Sequence, residues 1–421
     1  MADKNISIRP RLVVIGSGFA GLYTLLYIKK QGGWANFDIT LVSPLDYFLF
    51  TPLLHEVAAG SLSASNVIEP LRNKFPNDLK LILDQVKTIN LDSRQIVTST
   101  GQFLTYDYLV VAPGTITNWF AVVGAATYAR PLKTLTDALA IKNQLINNLQ
   151  QAADLSNKIK ESIDLDKLLT WVIVGGGPTG VEMAAELSHL VKSTLVKLQP
   201  TLAKKVKIIL VQRGSDLLKE FSPKFGQQAR QRLAAQGVVI KFQAEVAEVN
   251  QQGLRLTSGE VILSNLVIWL AGVKPVGIDW QGDLDKLSNG RIKVQNTLQL
   301  INYPNVYVLG DSAALLDKTS NKLLPQLAQV AVNQAKQAAK NLLAGVKNKP
   351  AQEFVYKSKG SLVSLGQWLA LAEIGGWFFE GHLAWWLWRT VYLSKLLTWR
   401  KKFQVAWQWT WNIFFPRDLY K

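Results

Sequence analysis

The sequence predicts an α/β fold, because two glycine-rich turns of the same spacing each follow an apolar run and open a helical pattern. The apolar runs are Leu12–Ile15 and Trp171–Val174. Strand-like and helix-like segments alternate around them, which is typical of a parallel sheet covered by helices. A chain of 421 residues is long enough for two or three domains.

Both turns have the spacing G-x-G-x-x-G. The first glycine makes a tight turn, the second lets the backbone approach a pyrophosphate, and the third allows close helix packing. The phosphate charge then lies at the positive end of a helix. Two such turns predict two Rossmann-like dinucleotide-binding domains, an arrangement that brings a nicotinamide against a flavin; the alternative is two purely structural turns. The residues concerned are Gly16, Ser17, Gly18, Phe19, Ala20 and Gly21 in the first turn, and Gly175, Gly177, Pro178, Thr179 and Gly180 in the second.

The order of the remaining segments predicts that the second dinucleotide unit is inserted into the first. The pattern predicts a meander around residues 238–241, a polar helical stretch over 135–167, and a late strand at 306–311 that returns to the first domain. We therefore expect a discontinuous flavin domain (1–120 and 292–346), an NAD(P)H domain with a leading helical linker (121–291), and a C-terminal region for membrane anchoring and possible dimerisation (347–421). Strands are also expected at 38–42, 106–114, 207–211 and 266–272.

Composition excludes several chemistries. The chain has no cysteine, so flavoenzyme reactions that need a thiolate or a redox-active cysteine pair are ruled out. With three histidines and no thiol ligands, no metal site is expected.

The net charge of +17 predicts an anionic partner, either a nucleic acid or a membrane surface. Eight of the fourteen tryptophans follow residue 376, among basic residues such as Arg400 and Lys421, and this mixture is typical of a membrane interface. The longest uncharged apolar stretch, 360–372, is too short to span a bilayer, which takes about 20 residues. The polar N-terminus has no signal-peptide core. We therefore expect a peripheral membrane protein on the cytoplasmic face of a bacterial-type inner or thylakoid membrane, with no nucleic acid bound.

The tail has the three-and-four spacing of a helix, which predicts one helix face with six large side chains. The alternative to membrane insertion is a packing or dimerisation surface, and the two are compatible. The stripe consists of Trp385, Trp388, Tyr392, Leu396, Trp399 and Phe403.

Taken together, these motifs resemble the type II NADH:quinone dehydrogenase family, the single-subunit, non-pumping respiratory flavoproteins. The resemblance covers nearly the whole chain, and its motifs are specific only in combination. Besides the two glycine turns, it rests on residues 47–60 (YFLFTPLLHEVAAG), 271–273 (AGV), Gly310-Asp311 and 328–334 (AQVAVNQ).

The resemblance implies where the cofactors would bind. The first turn would hold the FAD pyrophosphate, Thr51 and Pro52 would lie along the flavin, and Asp311 would accept hydrogen bonds from FAD hydroxyls. The second turn would hold NADH or NADPH. The implied cofactor set is completed by Ser43, Ala112, Gly114 and Gly310 on the flavin side, and by Glu182, Gln212, Arg213, Ala271 and Gly272 on the nicotinamide side.

The resemblance also implies catalytic residues. Glu182 would lie near the nicotinamide and flavin, in a positioning or proton-relay role; the alternative is a carboxylate stabilised by the helix dipole. Gln329 would face the isoalloxazine and the quinone head, or would belong to a solvated helix face. The family's second glutamine is replaced by Asn333, followed by Gln334, so an amide remains there in a shorter or displaced position.

The second strand of a dinucleotide unit usually ends in a carboxylate that binds the ribose 2′-hydroxyl. Here Ser43 and Gln212 stand in those positions. Because a carboxylate repels the 2′-phosphate of NADPH, neutral Gln212 followed by Arg213 predicts that NADPH is accepted; alternatively, Gln212 binds the NADH ribose and Arg213 is solvated.

The predicted function is FAD-dependent transfer of two electrons from NADH or NADPH to a membrane quinone, without proton pumping, by a homodimer attached to anionic lipid through its tail. Two alternatives remain at this point. One is an NADPH-dependent reductase of a biosynthetic naphthoquinone or of ferredoxin, and the other is a basic flavoprotein that binds nucleic acid.

Overall fold

A computed structural model describes residues 9–156, 162–318 and 321–417. The polar N-terminus before residue 9, residues 157–161 of the predicted helical stretch, and Lys421 lie outside the described residues.

The secondary structure alternates strands and helices as expected from the pattern. The α-helices, numbered in chain order, are α1 (Phe19–Lys30), α2 (Leu54–Ala58), α3 (Ala125–Tyr128), α4 (Leu135–Ser156), α5 (Ile163–Leu169), α6 (Pro178–Leu190), α7 (Val196–Leu198), α8 (Pro200–Ala203), α9 (Pro223–Ala235), α10 (Ala328–Val346), α11 (His382–Lys395) and α12 (Trp399–Phe414). The strands are β1 (Arg11–Ile15), β2 (Asp38–Ser43), β3 (Tyr47–Leu49), β4 (Ile68–Pro70), β5 (Lys80–Leu83), β6 (Val86–Asn90), β7 (Gln95–Thr98), β8 (Phe103–Thr105), β9 (Tyr108–Val111), β10 (Thr115–Thr117), β11 (Arg130–Pro131), β12 (Thr170–Val174), β13 (Lys207–Val211), β14 (Val238–Lys241), β15 (Val246–Asn250), β16 (Gly253–Leu256), β17 (Val261–Leu263), β18 (Leu266–Trp269), β19 (Val273–Pro275), β20 (Asp279–Gln281), β21 (Ile292–Lys293), β22 (Val306–Val308), β23 (Ala313–Ala314), β24 (Ser361–Ser364), β25 (Ala370–Ile374) and β26 (Trp377–Gly381). Short 3₁₀ turns occur at Trp34–Asn36, Thr51–Leu53, Ala64–Val67, Leu71–Asn73 and Gly310–Ser312, and a π turn at Val191–Leu195.

The first compact unit comprises the described parts of Met1–Phe48, Glu69–Ile116 and Val273–Lys357. Its central sheet is parallel, in the order β22-β9-β1-β2-β5. Aliphatic residues of this sheet, such as Val13 and Leu109, pack against Ile89 of β6 in one core. Because β22 pairs with β9, the predicted return of the chain to the first sheet is confirmed.

The second compact unit comprises Leu49–Ile68, Thr117–Gly272 and the described part of Ser358–Lys421. Its central sheet is also parallel, in the order β11-β18-β12-β13-β14. The C-terminal residues add an antiparallel sheet, β24-β25-β26, on which α11 packs. The predicted domain boundaries stay a prediction, since compactness does not say which part binds which cofactor.

The expected meander at Val238–Lys241 is wrong. These residues form β14, which pairs in parallel with β13 at the edge of the second central sheet. Helix α9 connects the two strands, so the segment completes a β-α-β unit, which requires parallel pairing. The antiparallel meander follows immediately, as β15-β16-β17.

The expected single helix in the tail is also wrong. The chain leaves the helical conformation at Leu396, where ψ is 140°, and a new helix begins at Trp399 with Thr398 as its side-chain cap. The predicted stripe therefore divides into a buried part and an exposed part. Trp385 and Trp388 are buried, whereas Trp399 is 84% exposed.

A close approach of backbone to backbone fixes both glycine turns. A Cβ on Gly21 would lie 1.9 Å from the carbonyl oxygen of Gly16, and a Cβ on Gly180 would lie 1.9 Å from that of Gly175. By contrast, a Cβ on Gly18 would meet nothing within 4 Å, and the φ of Gly18 is −72°. The third glycine of each turn is thus required by packing, while the second leaves the backbone accessible.

We expect Gly21→Ala to lower the free energy of unfolding by about 1 to 3 kcal/mol, because the helix must move away from the Gly16 carbonyl to admit a methyl group. Urea unfolding of protein stripped of bound dinucleotide measures this effect. Gly18→Ala is the matched control and should stay within about 1 kcal/mol of wild type. Equal destabilisation by the two variants would contradict the packing argument.

Candidate active site

The first glycine turn lies at the carboxyl end of β1, in the first unit. Gly18 is the N-cap of α1, so no side chain there competes with an anion, and the first turn of the helix has no acidic residue. The Ser17 and Ser43 hydroxyls are 2.8 Å apart, and the Ser43 hydroxyl donates to the carbonyl of Leu45 at 2.9 Å. Ser43 therefore joins the turn to the end of β2, where a ribose-binding residue is expected.

A second glycine-containing segment of the first unit, Gly310–Ser312, follows β22. The Gly310 amide donates to Oε1 of Gln334 at 2.7 Å, and Oδ2 of Asp311 accepts from the Thr115 hydroxyl at 3.2 Å. Gln334 is 1% exposed. Its amide thus anchors the Gly310 turn, which holds the Asp311 carboxylate in place, and the contacts of Gln334 are structural.

Helix α10 carries the other two amides predicted to be catalytic. Nδ2 of Asn333 donates to the carbonyl oxygen of Gln329, one turn earlier in the same helix, at 2.8 Å. Nε2 of Gln329 is buried and has no hydrogen-bond partner among the described residues. A buried donor without a partner costs about 1–3 kcal/mol, so Gln329 fits a site that a bound acceptor completes.

The second glycine turn lies at the carboxyl end of β12, in the second unit. Gly177 is the N-cap of α6, Pro178 is its first residue, and a Cβ on Gly177 would meet nothing within 4 Å. This turn repeats the geometry of the first one. Both turns therefore have open backbone at a helix N-terminus, a geometry that suits an anion.

Gln212, at the end of β13, is held by the protein itself. Its Oε1 accepts from the Gly176 amide at 3.0 Å, and its Nε2 donates to the carbonyl of Asp216 at 3.0 Å. Arg213 is exposed, and its guanidinium is 3.8 Å from the carboxylate of Glu245. The position usually held by a carboxylate is therefore neutral, with a solvent-facing cation next to it.

The remaining predicted residues lie at the edges of the two turns. A Cβ on Gly16 would lie 2.1 Å from the carbonyl oxygen of Ala112, and a Cβ on Gly175 would lie 2.8 Å from Cα of Ala271. Gly114 accepts from the Ser312 hydroxyl at 3.3 Å. In the second unit, Gly272 accepts from the Asn118 amide at 3.0 Å, and Thr51 and Pro52 form the 3₁₀ turn before α2.

Glu182 is buried in α6, two residues after the last glycine of the motif. Its Oε1 accepts from the Ser364 amide at 3.1 Å, and its Oε2 is 3.8 Å from Nδ1 of His55. Burial raises the pKa of Glu182 to about 8, and the nearby carboxyls of Glu56 and Glu186 add to this effect. Burial lowers the pKa of His55 to about 4. At neutral pH, therefore, the carboxyl is protonated and the imidazole is neutral.

Glu182 belongs to a larger cluster of buried charged residues in the second unit. The guanidinium of Arg417 is 2.8 Å from the Glu186 carboxylate, and Nε1 of Trp409 donates to Oε2 of Glu56 at 2.6 Å. Burial raises the pKa of Glu56 to about 8. Burial also raises the pKa of Glu186, but Arg417 and the neighbouring histidines outweigh it and bring that pKa below its usual value. The C-terminal region thus supplies partners for carboxylates on α2 and α6.

Sequence reasoning assigned no role to most of this cluster. Glu182, Glu186 and His189 are spaced by four and three residues on the helix that follows the second glycine turn, which places them on one face. From that spacing, the sequence alone could have predicted that these three side chains lie together. The contributions of Arg389 and Arg417 could not be predicted from the sequence, because only the folded C-terminus brings Arg417 to Glu186 and places Arg389 within electrostatic reach of Glu56 and Glu186.

Two family models match most of the chain. Residues 10–335 match the family model described as pyridine nucleotide-disulphide oxidoreductase, and residues 358–418 match the one described as NDH2 C-terminal domain. The absence of cysteine means that this chain has no disulfide of its own for such chemistry.

Individual relatives agree with the family models. The chain is 32% identical to the type II NADH:quinone oxidoreductase Ndh of Mycobacterium tuberculosis, over 96% of this chain and 88% of the relative. It is 31% identical to a probable NADH dehydrogenase of Dictyostelium discoideum, over 97% of this chain and 90% of the relative. Its fold is similar to that of NDH2 from Plasmodium falciparum in complex with NADH, with a TM-score of 0.88 at 21% identity, covering 98% of this chain and 100% of the other. The chain therefore belongs to the type II NADH:quinone oxidoreductase family of oxidoreductases.

Proposed function

We propose that this protein oxidises NADH, and also NADPH, and passes two electrons through FAD to a membrane quinone. The observation that carries the proposal is the repetition of one turn geometry in two units, each open at its second glycine. Such a pair suits one tightly bound and one exchanging dinucleotide. When bound, the flavin would accept a hydride and return two electrons.

The residues of the chain have separate tasks in this scheme. The turn at Gly18 would hold the FAD pyrophosphate, and the Asp311 carboxylate, fixed by Thr115, would accept hydrogen bonds from FAD hydroxyls. The amide of Gln329 would donate to a bound acceptor. Glu182 would hold a proton near the nicotinamide turn, since burial keeps its carboxyl protonated at neutral pH.

The acceptor is tested directly with purified, flavin-loaded protein. We expect short-chain quinones to accept electrons at least about a hundredfold faster than oxygen or ferredoxin. Flavin released by denaturation should be FAD rather than FMN. A ferredoxin rate above the quinone rate would contradict the proposal and favour the biosynthetic alternative.

Gln329→Leu should slow quinone reduction by about tenfold, because it removes the unpartnered amide while keeping the size of the side chain. The rates are measured with saturating NADH and varied quinone. Gln337→Leu, on the same helix two turns later, is the matched control, since that amide already bonds Asn341. A Gln329→Leu rate within about twofold of the control would remove Gln329 from the site.

Nucleotide preference depends on the end of β13. We expect Arg213→Ala to lower kcat/KM for NADPH by about tenfold and to leave kcat/KM for NADH nearly unchanged, because only the 2′-phosphate needs the guanidinium. Arg255→Ala, whose guanidinium pairs with Glu248 at 2.8 Å, is the control. A wild-type kcat/KM for NADPH about a hundredfold below that for NADH would exclude NADPH as a substrate.

Membrane attachment is proposed through the exposed aromatic stripe along α12 and its C-cap, defined as Trp399, Phe403, Trp407, Trp411 and Phe415. Neighbouring rings of this stripe lie 4.2 to 6.5 Å apart from Phe403 onward, while Val405 and Trp409 on another face are buried. Lys402 lies over the ring of Trp399 at 4.8 Å, and exposed Arg400 precedes it. Within the described part of the chain, no helix is long and apolar enough to cross a membrane. An amphipathic helix of this kind suits an anionic membrane surface.

Replacing Phe403 and Trp407 together by Ser should weaken binding to anionic vesicles by about tenfold or more, because each ring contributes roughly 1.5–3 kcal/mol when buried in lipid. Vesicle co-sedimentation at low and high salt measures it. Phe103→Ser is the matched control, since Phe103 is 72% exposed and Phe403 is 71% exposed. Unchanged vesicle binding together with a change from dimer to monomer would identify the stripe as a homodimer contact instead. The face of the membrane and its type stay predictions.

A further inference from the structure

Two neighbouring residues in the loop of residues 118–124 hold a backbone conformation that side chains rarely adopt. Phe120 has a φ of 49° and Ala121 has a φ of 56°, both in the left-handed region. Phe120 is also 50% exposed, so burial of its ring does not account for this conformation. Strained residues of this kind persist only where surrounding contacts fix them, and they cluster at ligand sites.

Hydrogen bonds fix this loop on the end of β18. The Asn118 amide donates to the carbonyl of Gly272 at 3.0 Å, and the Asn118 carbonyl accepts from Nε1 of Trp269 at 2.8 Å. Oδ1 of Asn118 in turn accepts from the Phe120 amide at 3.0 Å. Asn118 therefore ties the strained residue to the backbone that follows β18.

The ring of Phe120 lies against the turn after β18. A Cβ on Gly272 would lie 3.0 Å from Cζ and 3.2 Å from Cε2 of Phe120. The same turn touches the second glycine-rich turn, because a Cβ on Gly175 would lie 2.8 Å from Cα of Ala271. A half-exposed aromatic ring is thus placed two residues away from the backbone that would hold a pyrophosphate.

The order of strands decides which half of a dinucleotide would reach this ring. In the second central sheet, β12 lies between β13 on one side and β18 on the other. A dinucleotide whose pyrophosphate lies at the end of β12 places its two halves on opposite sides of that strand. Gln212, at the end of β13, stands where the ribose of the adenine half is bound. The nicotinamide half therefore extends over the end of β18, where Phe120 lies.

Resting on the proposed function, we propose that Phe120 binds the nicotinamide half of NADH or NADPH through its aromatic ring. A phenyl ring offers a large apolar surface to a planar group. The hydrogen bonds of Asn118 hold the backbone of Phe120 in place before the nucleotide arrives, which reduces the ordering that binding requires. The strained conformation is kept because it presents the ring at the end of β18.

Phe120→Ala tests this contact, since it removes the ring and keeps the backbone. In titration calorimetry on oxidised, flavin-loaded protein, the Kd for NAD⁺ should rise about fivefold or more. The Kd for ADP, which lacks the nicotinamide half, should stay within about twofold of wild type. Phe103→Ala is the matched control, because Phe103 is 72% exposed and lies in the first unit. Equal weakening of NAD⁺ and ADP, or no weakening of NAD⁺, would overturn the proposal.

Phe120→Leu separates nucleotide binding from packing of the loop. Leucine keeps an apolar side chain against Gly272 but has no planar ring, so it should also weaken NAD⁺ without weakening ADP. Wild-type affinity for NAD⁺ in Phe120→Leu would overturn the contact with the ring.

Steady-state kinetics give a second reading. In Phe120→Ala, the KM for NADH should rise about fivefold, while kcat and the KM for a short-chain quinone stay within about twofold of wild type. An unchanged KM for NADH would overturn the proposal. Calorimetry needs no electron acceptor, so the proposed function fails separately, if wild type binds NAD⁺ but reduces no quinone.

Discussion

The structure depends most on the contact between each glycine-rich turn and the helix that follows it. In both units, the helix backbone approaches the turn so closely that a Cβ on Gly21 or Gly180 would lie 1.9 Å from a carbonyl oxygen. This contact aligns the helix axis with the end of the central strand and directs its positive end at the site. The predicted phosphate positions follow from that alignment.

A second constraint is the burial of charge in the second unit. Glu56, Glu186 and Arg417 are buried, and each costs free energy unless it has a partner. Those partners come from distant parts of the sequence, since Arg417 and Trp409 belong to the C-terminal region while the carboxylates belong to α2 and α6. The C-terminal region is consequently part of the interior of this unit and presents one aromatic face of α12 to the outside. Substitutions confined to the exposed stripe therefore separate lipid binding from stability better than removal of the whole region does.

Much of the central architecture could be predicted from local sequence patterns. The runs before the two glycine turns became β1 and β12, and the segment at 306–311 returned to the first sheet as β22. An apolar run followed by glycines sets the backbone conformation locally. Predictions based on such runs were therefore correct. The prediction of a single helix in the tail was wrong because it depended on contacts between distant residues. The three-and-four spacing continues through Leu396, but Thr398 caps a new helix. Packing against β25 buries one half of the predicted stripe.

By itself, the sequence determined the fold class, the two dinucleotide turns, the exclusion of thiol chemistry and the family. These depend on residue types at short spacing, and such spacing sets backbone conformation directly. Only the tertiary structure decided that Gln334 anchors the Gly310 turn, that Gln212 is held inside its own loop, and that Glu182, Glu186 and Arg417 gather around His55. Those outcomes depend on contacts between residues up to several hundred positions apart. Burial then set their protonation, because a pKa follows from the surroundings of a group in the folded chain.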